Sequence, residues 1–200
     1  MKLYFANTSP YARKTRIALR ELGLLDRVEE IFQNPFEESP QLAAANPLRK
    51  VPCLVTDDGA ALFDSPVICA YLASLAPSIG LIPDGDRRWQ VLTGEALADG
   101  ILDAAFALVM ERRRPEGERS ATWMTRWQDA IGRAVAAAEA MPAPFEGPAS
   151  VAQIALGAAL GYLDFRLHDL NWREAAPGLE LWYSDFAERP AMLATRPPVG

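Results

Sequence analysis

Asn46-Pro47-Leu48-Arg49-Lys50-Val51-Pro52-Cys53-Leu54-Val55-Thr56-Asp57-Asp58-Gly59-Ala60-Ala61-Leu62-Phe63-Asp64-Ser65-Pro66 is the stretch that decides the fold. Two short runs, Cys53–Thr56 and Ala61–Phe63, flank the tight-turn sequence Asp57-Asp58-Gly59 and predict an antiparallel hairpin. Pro52 stands at the entrance of the first of these strands, where a missing N–H costs the ladder nothing. An X-Pro bond there is either an ordinary trans linkage or a cis one that turns the N–H and C=O of Val51 outward. Ser65-Pro66 puts a hydroxyl and a first-turn proline at a helix start, and the helix runs through Leu75.

Working toward the N-terminus, Ser39-Pro40 opens a short helix that ends near Asn46-Pro47. Before it, Lys2–Phe5 reads as a strand, Pro10–Leu22 as a helix stopped by Gly23, and Val28–Phe32 as a second strand. A strand-helix-strand unit implies a parallel pair. The predicted order β-α-β-α-β-β-α is that of an α+β thioredoxin-like domain, in which parallel and antiparallel strands share one sheet.

Working toward the C-terminus, the pattern changes at a break made of Pro77, Gly80, Pro83, Asp84 and Gly85. Helical periodicity then covers Arg87–Arg113, Thr122–Met141, Val151–Leu167 and Leu179–Glu188, separated by Pro115-Glu116-Gly117, Pro142-Ala143-Pro144 and Pro177-Gly178. The expected division is a thioredoxin-like domain over 1–78 and an all-helical bundle over 84–200. Ala134–Ala140 reads as a packed helix face, and Ser150-Val151-Ala152-Gln153 as a capping box that starts the third of these helices.

The 200 residues and 50% hydrophobic content suffice for such cores, and the formal charge of −6 argues against a nucleic-acid partner. Charged residues interrupt every long apolar run, so no membrane insertion is expected, and the apolar start Leu3–Ala6 is too short for a signal-peptide core; a cytoplasmic protein is expected. With His168 as the one histidine, a multi-histidine metal site cannot be built, and no metal is expected. His168 itself reads as a solvated or capping residue near a helix end. Cys53 and Cys69 lack redox or zinc spacing and read as small buried hydrophobes.

Three places carry chemistry. At Thr8-Ser9-Pro10-Tyr11 a hydroxyl sits where the first strand gives way to the first helix, as a simple cap or as part of an anion site. A thiolate is such an anion; lowering a thiol from about 8.5 by about one to two units takes only about 1.4–2.7 kcal/mol. No cysteine stands at this turn, so any sulfur chemistry needs a sulfur brought by a ligand. The second place is Val51, whose backbone can pair with a peptide-like ligand as an added strand. The third is Asp64-Ser65, a helix start with a hydroxyl and a carboxylate, able either to cap the helix or to hold both ends of an amino-acid zwitterion.

In order and spacing, Ser9-Pro10-Tyr11, Asn46-Pro47-Leu48-Arg49-Lys50-Val51-Pro52 and Asp64-Ser65 resemble the glutathione transferase superfamily. Glu95-Ala96-Leu97-Ala98-Asp99-Gly100-Ile101-Leu102-Asp103 is similar to the long helix of a bacterial serine-type subgroup of uncharacterised members, so the resemblance covers nearly the whole chain. It implies that Ser9 donates to the glutathione thiolate, that Val51 pairs with the cysteinyl unit, that Asp64 and Ser65 hold the γ-glutamyl end, and that Lys50 is a candidate for the glycine carboxylate. Tyr4 is a rival to Ser9, because tyrosine-type relatives carry their donor near the end of the first strand; strand alternation equally places Tyr4 in the core. Arg49 is left unassigned.

The resemblance further implies glutathione as co-substrate, a small electrophile as second substrate, and a homodimer. Phe106 and Met110 serve as well as bundle core as they would as electrophile contacts, and are not assigned. The alternatives are a non-catalytic glutathione-binding or regulatory protein of the same fold, and another glutathione-dependent reaction such as peroxide reduction, dehalogenation or isomerisation.

Overall fold

The computed structural model describes residues 1–141, 145 and 147–198; the expected loop Pro142-Ala143-Pro144 lies outside the described residues. The chain forms two compact units, Met1–Asp84 together with Arg189–Gly200, and Gly85–Glu188.

In the first unit the elements follow in the expected order: β1 (Lys2–Phe5), α1 (Pro10–Glu21), β2 (Glu29–Phe32), α2 (Pro40–Ala45), β3 (Cys53–Val55), β4 (Ala61–Leu62) and α3 (Ser65–Ser74). The sheet runs β2-β1-β3-β4, with β1 and β2 parallel and the other neighbours antiparallel. Local chemistry sets these boundaries. Ser9 and Ser39 cap α1 and α2 by accepting from the N–H groups of Ala12 and Leu42, each followed by a first-turn proline. Gly23, at φ +65°, supplies the left-handed residue just beyond α1. In the hairpin, Thr56 and Ala60 close the turn through a 2.9 Å backbone bond, and the Asp58 carboxylate accepts from the Thr56 hydroxyl.

β1 is central, and its residues alternate between two covered faces. Tyr4 packs with Ala6, Leu42, Val51, Cys53 and Phe63 on the α2 side. Leu3, fully buried and paired in register with the fully buried Leu54, takes the opposite face. There α1 and α3 pack against each other and against the sheet.

Glu30 of β2 ties strand to helix, accepting from Arg16 at 2.5 Å and from Arg20 at 2.6 and 3.1 Å. Burial pushes the Glu30 carboxyl up, but the hydrogen bonds and charges of Arg20 and Arg16 outweigh it, and the net direction is below the ordinary value of 4.5. A folded-state pKa below the unfolded one stabilises fully above the unfolded value, and that contribution is lost as pH falls through the folded value. Glu30→Gln is therefore expected to destabilise the protein at neutral pH and to erase that difference in acid, as read from urea midpoints under both conditions.

The second unit contains α4 (Asp86–Arg112), α5 (Ala121–Ala140), α6 (Val151–Arg166), α7 (Trp172–Ala175) and α8 (Pro177–Ala187). α6 is buried on all sides from Val151 to Leu163, and its Ala and Gly residues let α4 pack closely on it. Its capping box is formed: Ser150 Oγ accepts from Gln153 N–H, and Gln153 Oε1 from Ser150 N–H. His168 is exposed in the turn after α6. Among the described residues no helix is long and apolar enough to cross a membrane.

The four-residue helices α7 and α9 (Pro190–Leu193) were not anticipated from sequence. α9 belongs to the first unit. Arg189 at its start makes a two-pronged pair with Glu21 of α1, at 2.5 and 2.9 Å, and Arg13 of α1 donates to the Met192 carbonyl at 3.4 Å.

Candidate functional site

Strand directions bring the three chemical segments to one edge of the sheet. β1 and β4 end where β3 begins, since Tyr4 pairs with Cys53 and Leu62 with Leu54. The loop carrying Ser9 leaves the end of β1, Lys50 and Val51 precede β3, and Asp64-Ser65 follow β4. Ala6, Val51 and Phe63 pack in one cluster and hold the bases of these loops together.

Ser9 is half-buried, and its Oγ accepts from Ala12 N–H at 3.2 Å while its own N–H donates to the Ala6 carbonyl at 3.1 Å. Capping uses a lone pair of the hydroxyl; the hydrogen remains to donate elsewhere. Capping and anion stabilisation are thus compatible in one side chain, at the positive end of a 12-residue helix.

Asn46 builds the second segment. It is 1% exposed, its Nδ2 donates to the Lys50 carbonyl at 2.9 Å, and its Oδ1 accepts from Leu48 N–H at 3.0 Å. One buried amide therefore fixes the turn that delivers Val51, a role that the sequence signals only through Asn46-Pro47. Val51 is buried beyond the last register pair of the ladder, and the Val51–Pro52 bond is cis, as is Phe63–Asp64. The Lys50 side chain is exposed. Arg49 takes a left-handed conformation at φ +52° and donates to the Glu37 carbonyl at 3.3 Å, so it braces the loop before α2.

Asp64 occupies the N-cap position of α3, yet its side chain makes no cap bond there. The carboxylate is exposed, and Ser65 behind it is 1% exposed at the first helical position. An outward carboxylate beside first-turn N–H groups offers an acceptor for a cation and donors for an anion within one turn.

Tyr4 is half-buried in the Leu42–Cys53 cluster. Cys53 is fully buried, and burial pushes its thiol up to about 11, so it stays protonated at neutral pH. The chemistry available at this edge is hydrogen bonding to an extended, zwitterionic, peptide-like molecule, with a hydroxyl and a helix end poised for a negative group.

Residues 8–75 match the family model of the glutathione S-transferase N-terminal domain, and residues 121–185 that of the C-terminal domain. The chain is 34% identical to the uncharacterized GST-like protein YibF of Escherichia coli K12, over 99% of each chain. A glutathione transferase family member from Pseudomonas fluorescens Pf-5, solved with bound glutathione, is 42% identical over 99% of each chain, with a TM-score of 0.95. Its structure with S-(propanoic acid)-glutathione superposes over the full length of both chains with a TM-score of 0.91. By fold, by motif and by these similarities, the chain belongs to the glutathione S-transferase family.

Proposed function

We propose that this protein binds glutathione through its first 78 residues and presents the sulfur, as a thiolate, to a small hydrophobic electrophile. Ser9 is the catalytic residue: its hydroxyl and the start of α1 favour negative charge on the sulfur. The Val51 main chain aligns the cysteinyl unit, Asp64 takes the γ-glutamyl ammonium, Ser65 and the first turn of α3 take the γ-glutamyl carboxylate, and Lys50 takes the glycine carboxylate. When bound, glutathione supplies the nucleophile; the protein supplies orientation and anion stabilisation.

The observation that carries this reading is the Ser9 cap, whose oxygen is engaged by Ala12 while its proton remains available. The high thiol pKa of Cys53 supports it, because the chain offers no ionised sulfur of its own at this edge. Bound glutathione in the Pseudomonas relative supports the choice of ligand. The protein acts as a cytoplasmic homodimer, and a light-scattering mass near one chain's 21.9 kDa would contradict the dimer.

Calorimetric titration of glutathione, paired with turnover of glutathione and a small aryl halide, tests the proposal. Binding with turnover is expected. Binding without turnover favours the non-catalytic reading, and absence of binding removes the site assignment.

A further inference from the structure

Asn46 stands just past the C-terminal end of α2 and makes four hydrogen bonds from a position 1% exposed. Its N–H donates to the Leu42 carbonyl of α2 at 2.7 Å, and its own carbonyl accepts from Arg49 N–H at 2.8 Å. The side chain adds the other two: Oδ1 accepts from Leu48 N–H at 3.0 Å, and Nδ2 donates to the Lys50 carbonyl at 2.9 Å. Three of these bonds fold residues 46–49 into a turn anchored on α2. The fourth reaches one residue further, to the peptide unit that joins Lys50 to Val51.

That unit is planar and trans, so its carbonyl and the Val51 N–H point in opposite directions within one plane. Holding the carbonyl on Asn46 therefore fixes the N–H on the side away from Asn46. Val51 is 7% exposed, and among the described residues its N–H has no acceptor in the chain. Buried N–H groups are nearly always paired. A buried main-chain donor left unmatched by the chain, at the start of the strand that lies between β1 and β4, is suited to an acceptor on an extended ligand. A peptide unit free to rotate loses that freedom on binding. The Asn46 amide removes the loss in advance and so raises affinity without touching the ligand.

We propose that Asn46 is a positioning residue of the glutathione site: through the shared peptide unit it sets the Val51 N–H to donate to the cysteinyl carbonyl. This deepens the glutathione reading above and rests on it.

The test is a double comparison by calorimetry on the full-length protein. Two ligands are titrated: glutathione, and an analogue in which an (E)-alkene replaces the cysteinyl–glycine amide. The analogue keeps the length and the charged ends but offers Val51 no acceptor. Two proteins are compared, the wild type and Asn46→Ser. A serine hydroxyl can still accept from Leu48 N–H, as in an ST turn, but is too short to reach the Lys50 carbonyl. The wild type is expected to bind glutathione about tenfold more tightly than the analogue. Asn46→Ser is expected to erase most of that preference by weakening glutathione and leaving the analogue nearly unchanged. Damage to the fold would weaken both ligands equally, and the glycine N–H missing from the analogue is common to both proteins and cancels.

Equal weakening of the two ligands, a preference that survives in the variant, or no preference in the wild type overturns the role of Asn46 while glutathione binding stands. Failure of the wild type to bind glutathione overturns the glutathione reading itself, and this proposal with it. If Asn46→Ser shows no cooperative urea transition, Asn46→Ala carries the same comparison, because losses common to both ligands cancel there too.

Discussion

Ser9→Ala is expected to lower turnover with a small electrophile by about 100-fold or more at neutral pH, the effect of removing one donor aimed at a developing or resident negative charge. Glutathione affinity should change much less, because the proposed contacts of Val51, Asp64, Ser65 and Lys50 with the rest of the molecule are untouched. The pH profile separates this from general damage. Loss of the donor raises the pKa of bound thiol toward its free value of about 8.5, so the acid limb of the rate profile moves upward and activity partly recovers in alkali. Losing the cap also costs about 1 kcal/mol of stability, to be checked by urea unfolding. Ser9→Thr keeps both the cap and the donor and should retain most activity. Tyr4→Phe should leave the acid limb in place, since Tyr4 packs into the cluster of Leu42, Val51 and Cys53.

Gln153→Ala is expected to be among the most destabilising single substitutions in the second unit, by about 2–4 kcal/mol. Gln153 is 4% exposed and makes three bonds at once: its Oε1 accepts from Ser150 N–H at 3.2 Å, and its Nε2 donates to the carbonyls of Phe145 at 2.7 Å and Gly147 at 3.3 Å. Truncation strips the donor from the Phe145 carbonyl and removes half of the capping box that starts the buried helix α6. The shorter Gln153→Asp can restore the acceptor for Ser150 but has no N–H to give Phe145, so its stability should fall between the two. Urea midpoints at unchanged m-value measure this, and catalysis per folded molecule should be unaffected.

How far the sequence discloses the fold depends on whether the signal is local. The Ser-Pro helix starts at residues 9–10 and 39–40, the Asp57-Asp58-Gly59 turn and the Ser150–Gln153 box each lie within a few residues, and each forms as its chemistry dictates. The four-residue helices α7 and α9 are too short to show a period, and they exist because of partners far along the chain, such as Glu21 for Arg189. The same distinction applies to the site. The proposed contacts Ser9, Lys50, Val51, Asp64 and Ser65 come from three short motifs at family spacing, and the strand register brings the segments that carry them to one edge. The buried role of Asn46, the bracing of Glu37 by Arg49, and the pairing of Arg112 with Asp169 are not legible, because they depend on side-chain directions and, for the last, on helix ends 57 residues apart in sequence.

The central claim is that this protein lowers the thiol pKa of glutathione through Ser9. Its most direct test is the ultraviolet absorbance of the thiolate, followed against pH for glutathione bound to the wild-type protein and to Ser9→Ala. A midpoint about one to two units below that of free glutathione in the wild type, restored to the free value in the variant, is the expected result. A wild-type midpoint equal to that of free glutathione, or a depressed midpoint that survives in Ser9→Ala, contradicts the account.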